Sequence, residues 1–449
     1  MSSSTLHIGC ATGFSGDRTD GTEPVVDTLI RLGGQALIFE TLAERTLALA
    51  QLEKNANPDA GYEPLLVELL QPVLGKCLAH NIRIVSNFGA ANPPAAGRRI
   101  LELARQAGVR APRIAVLSGD QLDQPEQRAA VRANLGDTFD LTDIVSINAY
   151  QGAAEIAQAL VAGAEIVVAG RVADPSLTVG PALAHFGWAH DNWHALGCAT
   201  MAGHILECGT QVTGGYFAVP GLKDVPGMAN LGFPIVSLEN NGDFVVGKAD
   251  HTGGLVSEQT VKEQLLYEVH DPAAYLTPDV TADLSRVQVA TDAPNRIRVR
   301  GIAGHARPEQ LKVNVCYRGG WLAEAEISYA GVQAEARARL AAETVIARLQ
   351  GVLNIRIDLI GVLSVFGDDA GRLLHSQRCG QARDVRLRLA ASHPDKTVAA
   401  RLLHEVTALY TCGPAGGGGV RTSLRPRLNS VSTTINRDLA PAAWHFLEH

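Results

Sequence analysis

Six short apolar runs in the first 170 residues, each followed by a polar loop and then a helical pattern, constrain what this chain can fold into. LHIGCA (6–11), ALIFE (36–40), RIVSN (83–87), RIAVLSG (113–119), DIVSINA (143–149) and EIVVAG (165–170) read as strands. Amphipathic stretches such as EPVVDTLIRLG, PLLVELLQPVLGKCLAHN and GRRILELARQAG separate them. Runs this short and rich in Val and Ile suit strands covered by helices on both sides. The alternation predicts an α/β fold whose N-terminal parallel sheet carries helices on both faces.

Ligands of open parallel sheets sit beyond the carboxyl ends of the strands. Those ends carry Asp17 and Arg18 after the first run, Glu40, Thr41 and Glu44 after the second, and Asn87, Gly89 and Asn92 after the third. Asp120 follows the fourth, Asn148, Tyr150 and Gln151 the fifth, and Arg171 and Asp174 the sixth. Any one of them is accounted for as a cap or turn residue. Their convergence on one edge predicts a ligand site, with Asp17, Arg18, Asn87, Asn148 and Arg171 as candidate substrate contacts.

The stretch from Glu165 to Gly215 joins such a strand end to a helix of small residues. Pro175 biases Asp174 toward an extended conformation and suits the first position of a helix. The next helix, near Trp193 to Cys208, carries His204, Glu207 and Cys208 at spacings of three and four, which share one helical face. A helix this rich in Ala, Gly and Cys also suits plain core packing, and Cys198 and Cys208 fit that role. His204 and Glu207 fit it less well, because charged groups are rarely buried without a partner. With Asp174 and Glu40 they are the candidate catalytic residues.

At 449 residues and 46% hydrophobic content, the chain can build two domains or one large α/β unit. Its 39 basic and 46 acidic residues give a net charge of −7, which offers no basic footprint for nucleic acid or anionic membrane. No run approaches eighteen apolar residues, and MSSSTLHIGC lacks the regions of a signal peptide, so a cytoplasmic location is expected. The seven cysteines never form C-x-x-C, which fits reduced thiols better than a disulfide framework or a zinc cluster. Gly9, Gly13 and Gly16 match neither G-x-G-x-x-G nor a Walker pattern, so no nicotinamide or flavin motif is assigned.

A Gly/Pro-rich stretch from Val219 to Gly232 suggests a boundary or a loop over the strand ends. The expected division is a parallel α/β domain over 1–225, a mixed α+β domain over 226–446, and a tag remnant at Leu447-Glu448-His449. Asn241-Gly242 marks a hairpin in the second part. Ser257 opens a helix after a Gly-Gly turn, where an anion can be received. TCGPAGGGGVRTS reads as a flexible connector or as a loop in which Gly417, Gly418 and Arg421 meet an anion. No Lys-Ser/Thr pair follows it, so it is not a P-loop.

GRVADPSLTVGPALAHFGW followed by AGHILECGTQVTGG, with SNFGAANP, GFSGDR, NPDAGYEP and GPAGGGGVR, resembles the acyclic terpene utilisation (AtuA-type) family. The likeness runs from Gly9 to Arg421. It implies a bacterial catabolic enzyme acting on an acyl-CoA thioester or a branched or hydroxy carboxylic acid, with CoA present only as part of the substrate. Many members carry a small ferredoxin-like domain at the C-terminus, which this chain, ending soon after its glycine run, is expected to lack.

The favoured expectation is a lyase, hydratase or hydrolase. Asp174, Glu207 or Glu40 would serve as base with His204, and Arg171 would hold an anionic group. One alternative is a metal-dependent hydrolase using His204, Glu207 and Cys208, although the absence of H-E-x-x-H or a second cluster leaves no metal assigned. Another is a non-catalytic partner or assembly subunit in acyl-CoA catabolism. A small-molecule substrate is the expected partner, and a homo-oligomer stays open.

Overall fold

The computed structural model describes residues 4–136 and 143–448. Met1 to Ser3, where part of the N-terminal reading falls, and His449 of the expected tag lie outside the described residues. The apolar runs form strands β1 (Thr5–Cys10), β2 (Ala36–Phe39), β3 (Arg83–Ser86), β4 (Ile114–Ser118), β5 (Ile144–Ala149) and β6 (Ile166–Val168). Five of them pair in parallel in the order β1-β2-β3-β6-β4. Ile8, Ile38, Val85 and Val167 face one hydrophobic cluster, and Leu37, Ile84, Val116 and Ile166 face another. Helices therefore cover both faces of the sheet, as the unbroken apolar runs require.

The same sheet continues on the β1 side with antiparallel strands. β7 (Pro234–Glu239) pairs with β1, and β8 (Phe244–Lys248) pairs with β7 across the Asn241-Gly242 turn, where Gly242 has φ 94°. Next in the chain come β9 (Tyr275–Leu276) and β10 (Thr281–Asp283). They are followed by β11 (Gln288–Ala293), β12 (Arg296–Arg300) and β13 (Ala303–His305). β12 and β11 extend the main sheet beyond β8, while β9, β10 and β13 form a small sheet of their own against the helix Trp193–Glu207.

Residues 226–316, expected in a second domain, thus contribute strands to the first sheet. Their hairpin patterns were legible, but the free edge of β1 that they pair with was not.

The structure departs from the expected six-stranded parallel sheet at β5. β5 pairs instead with β14 (Gln310–Ala330), and just beyond its end the Tyr150 amide donates to the Lys312 carbonyl at 2.9 Å. The later strands are β15 (Arg356–Ile360), β16 (Asp384–His393), β17 (Gly418–Asn436) and β18 (Ala443–Phe446). β18 pairs antiparallel with β4 at that edge of the sheet, with Ala443 opposite Ser118. Leu447, read as a tag remnant, donates its amide to the Ile114 carbonyl at 2.9 Å and packs on the core.

Two compact units result. The first comprises Met1–Cys316 with Ser430–His449, and the second comprises Tyr317–Asn429. The second unit contains the later part of β14, the helix Ala334–Leu349, β15, β16, the helix Lys396–Cys412 and the start of β17. Its strand order β15-β16-β14-β17 gives the split βαββαβ, ferredoxin-like arrangement. Both helices bury an apolar stripe on one face of that sheet, Ala338 and Val345 from the first and Leu402 and Val406 from the second. A ferredoxin-like topology therefore stands inside the chain, ahead of β18.

Candidate functional site

The strand ends of the first unit are joined by side chains rather than by solvent. Arg171, just beyond β6, is 1% exposed. Its Nε and Nη2 donate to the Val172 carbonyl at 2.9 and 2.6 Å, its Nη1 donates to the Leu42 carbonyl, and its Nη2 pairs with Asp174. The guanidinium also lies 4.5 Å from the centroid of the Tyr150 ring. A fork spent in this way ties the loop after β2 to the loop after β6 and leaves little of it for a ligand.

Glu40 and Asn87 form a second layer. Asn87 donates through Nδ2 to Glu40 Oε1 at 2.8 Å, while its Oδ1 accepts from the Thr41 amide at 2.9 Å and the Thr41 hydroxyl at 3.1 Å. Burial, then the negative charge of Asp174, drives the Glu40 carboxyl up to about 8 against the opposing pull of Arg171. Asp120, after β4, accepts from the Arg171 amide and from Asn148 Nδ2, each at 3.0 Å. Asn148 thus reaches the cluster through Asp120, although its strand has left the sheet.

The helix Trp193–Glu207 supplies the third layer. Asn192 caps it by accepting from the Ala195 amide at 3.3 Å. Small residues let it press against its neighbours: a Cβ on Gly203 would stand 2.8 Å from the Cα and the carbonyl oxygen of Pro175. That approach sets His204 and Glu207 beside the Arg171–Pro175 loop. At the end of the helix, a Cβ on Gly13 would stand 2.7 Å from the Cys208 carbonyl carbon, so the loop after β1 closes against the same place.

His204 Nδ1 lies 2.8 Å from Glu207 Oε1. An ionised carboxylate only accepts, so Nδ1 carries the proton in this pair and Nε2 of a neutral ring is left with its lone pair. Both outer atoms, His204 Nε2 and Glu207 Oε2, are buried without a hydrogen-bond partner among the described residues. Burial works to lower the affinity of His204 for a proton, but the charge and hydrogen bond of Glu207 outweigh it and raise it. Burial raises Glu207 to about 7, with His204 opposing and Asp174 adding to the rise. The dyad therefore exchanges a proton near neutrality.

Asp174 has the most open side chain of this group, 34% exposed. The thiol of Cys10 is pushed up to about 12 by burial, and that of Cys208 is pushed up by burial and then by the Glu207 charge. Neither is a thiolate nucleophile at neutral pH.

Other expected site residues lie differently. Asp17 accepts from the Gly13 amide at 2.8 Å and the Arg18 amide at 2.7 Å, a turn-capping role, and Arg18 pairs with Asp20 at 2.9 Å near the surface. Gly417, Gly418 and Arg421 belong to the second unit, where Gly418 and Arg421 are part of β17. A Cβ on Gly417 would stand 2.9 Å from Ile327 Cδ1, so packing already accounts for that glycine.

Among the described residues, no group of three His, Cys, Asp or Glu side chains is arranged to hold a metal ion. Nor is any helix there long and apolar enough to cross a membrane. A cavity of about 230 Å³ lined by Gln35, Asn81 and Arg83 lies at the amino-terminal edge of the sheet, away from these residues.

Sequence reasoning missed Tyr275 and Gln264. The Tyr275 ring centroid stands 5.2 Å from that of His204, and Gln264 Nε2 donates to the His204 carbonyl at 3.3 Å. Tyr275 arrives from a two-residue strand about seventy positions along the chain, where no local pattern marks it. Comparison with curated proteins and with solved structures returns no match. The family model for "Acyclic terpene utilisation family protein AtuA" matches residues 6–446, which is nearly the whole chain. The chain belongs to the acyclic terpene utilisation AtuA family.

Proposed function

We propose that this protein is an acid–base enzyme of acyclic-terpene catabolism that moves a proton at the carbon next to the carbonyl of an acyl-CoA thioester or a branched or hydroxy carboxylic acid. The observation that carries this reading is the buried His204–Glu207 dyad, whose Nε2 and Oε2 have no hydrogen-bond partner among the described residues. His204 Nε2 takes the α-proton, and Glu207 stabilises the imidazolium that forms. Glu40, still protonated at neutral pH, donates to a departing β-oxygen, so a β-hydroxy substrate loses water and the unsaturated product remains. Arg171 is a positioning residue that holds Asp174 and the two loops.

This chemistry is a lyase or hydratase reaction. A hydrolase working through an acyl-enzyme is less well supported, because both nearby thiols are held in their neutral form.

The test is solvent exchange. Straight, branched and 3-hydroxy acyl-CoA thioesters and the matching free acids are incubated with the protein in D2O, and deuterium at the α-carbon is followed by mass spectrometry. Enzyme-dependent incorporation into one class supports the reading and names that class. No incorporation and no turnover across the panel would overturn it.

A further inference from the structure

Abstraction of an α-proton leaves negative charge on the carbonyl oxygen, and a site that does this needs a donor aimed at that oxygen. Most polar groups around the dyad are already committed. Arg171 is spent on two carbonyls and Asp174, the Asn87 amide on Glu40 and Thr41, and the Asn148 amide nitrogen on Asp120. The Thr200 hydroxyl, one turn before His204 on the same helix, is buried without a hydrogen-bond partner among the described residues, and Tyr275 is the uncommitted donor that packs against the imidazole itself. Its ring centroid stands 5.2 Å from that of the His204 imidazole, and among the described residues no hydrogen bond engages its hydroxyl. It is half-buried, packed at the margin of the core cluster that holds the helix of His204.

We infer that the Tyr275 hydroxyl is the donor that holds the substrate's carbonyl oxygen while charge builds on it. The inference rests on the proposed proton abstraction. In the step, the C–H bond breaks and its proton goes to His204 Nε2. The electron pair forms the carbon–carbon double bond of the enolate, and the carbonyl π pair moves onto the oxygen that accepts from Tyr275. The phenol keeps its proton throughout. Burial and then the charges of Glu207 and Asp174 push its ionisation far above the usual range. A phenol that keeps its proton always has an O–H to donate, which is what a developing oxyanion requires.

The fold explains why this residue is set here. β9 pairs with β10, placing Ala282 opposite Tyr275, and β13 pairs with the other edge of β10. A Cβ on Gly197 would stand 2.6 Å from the Ala303 carbonyl oxygen, so this small sheet is pressed onto the helix that carries His204. The two rings are therefore held on adjoining rigid elements, the arrangement a fixed donor needs.

The experiment compares wild type with Tyr275→Phe by two readouts. The first is α-deuterium exchange, where removing one such donor lowers kcat by about 100-fold with KM little changed. The second needs no turnover: binding of the nitronate of 3-nitropropionate, a planar mimic of the enolate, against binding of propionate, both by calorimetry. Wild type should prefer the nitronate, and Tyr275→Phe should lose that preference by about tenfold or more while binding propionate as before. The inference fails if wild type shows no preference or if Tyr275→Phe keeps it. Exchange by wild type that Tyr275→Phe matches would overturn the tyrosine and leave the proton abstraction standing. A nitronate preference lost in Tyr275→Phe, without exchange in wild type, would support the donor and overturn the reaction.

Discussion

Asn87 and Glu40 are 47 positions apart in the chain and joined by a 2.8 Å hydrogen bond between the ends of adjacent parallel strands. The same amide accepts from the backbone and hydroxyl of Thr41, so one side chain at the end of β3 satisfies three groups at the end of β2. Asn87→Ala strips partners from a buried carboxyl and a buried N–H together. A loss of about 1–3 kcal/mol is expected, the cost of leaving such groups unsatisfied, read as a shift in the urea unfolding midpoint at unchanged slope. An unmoved midpoint would show that water replaces the amide and that the layer is soft.

The second prediction concerns pH. Glu40 holds its proton up to about 8 in the folded protein, against 4.5 when unperturbed, because burial and Asp174 penalise its charge. Between those values the folded state binds more protons than the unfolded one, so this group's contribution to stability is full below about 4.5 and is lost as pH rises through about 8. Glu40→Gln keeps an acceptor toward Asn87 and the Leu42 amide and carries no charge at any pH. The variant should melt about 2 °C or more above wild type at the alkaline end of this window and lose the advantage near its acidic end. A gap that widens toward acid would mean Glu40 is charged in the fold.

Gly203 tests how the dyad is placed. Its missing side chain lets the helix lie where a Cβ would meet the Pro175 backbone at 2.8 Å, and backbone cannot swing aside as a side-chain tip can. Gly203→Ala should cost about 1–3 kcal/mol by overpacking, despite the better helix propensity of alanine. It should also reduce α-exchange, because His204 moves away from the loop of Asp174. Greater stability in the alanine variant would show that the two segments do not press together.

The sheet was legible because its strands are continuous apolar runs, and the runs at 6–11, 36–40, 83–87, 113–119 and 165–170 all join it in parallel. The run at 143–149 looked the same, yet its neighbour is decided by β18, which arrives about 300 residues later and fills the edge beside β4. Glu40, Asn87 and Asp174 were legible for a simple reason: polar residues just past buried strands have to collect at one edge. What Arg171 does there was not legible, since its partners are the carbonyls of Leu42 and Val172, and backbone carbonyls leave no trace in residue identity. Tyr275 was hidden for the opposite reason, its chemistry being plain but its position depending on a small sheet with no periodic signal.

The last prediction separates catalysis from packing at His204 and Glu207. Glu207→Gln preserves the side-chain shape, and its amide oxygen still accepts from Nδ1, so the fold should survive with little change in melting temperature. The negative charge is gone, however, and with it the main influence that raises the proton affinity of a ring whose burial works the other way. His204 in the variant should be neutral over a wider range but a weaker base, and α-exchange should fall by about 100-fold, within the span of a lost acid–base contribution. The pH profile gives the sharper reading. In wild type the rate should rise with pH as the dyad loses its proton near 7, where Glu207 is set. In Glu207→Gln that rise should move to lower pH, because the folded imidazole no longer has a carboxylate to hold its proton. A rise that stays in place, or moves upward, would assign it to another group, and Glu40 with Asp174 would then be the pair to test for the base.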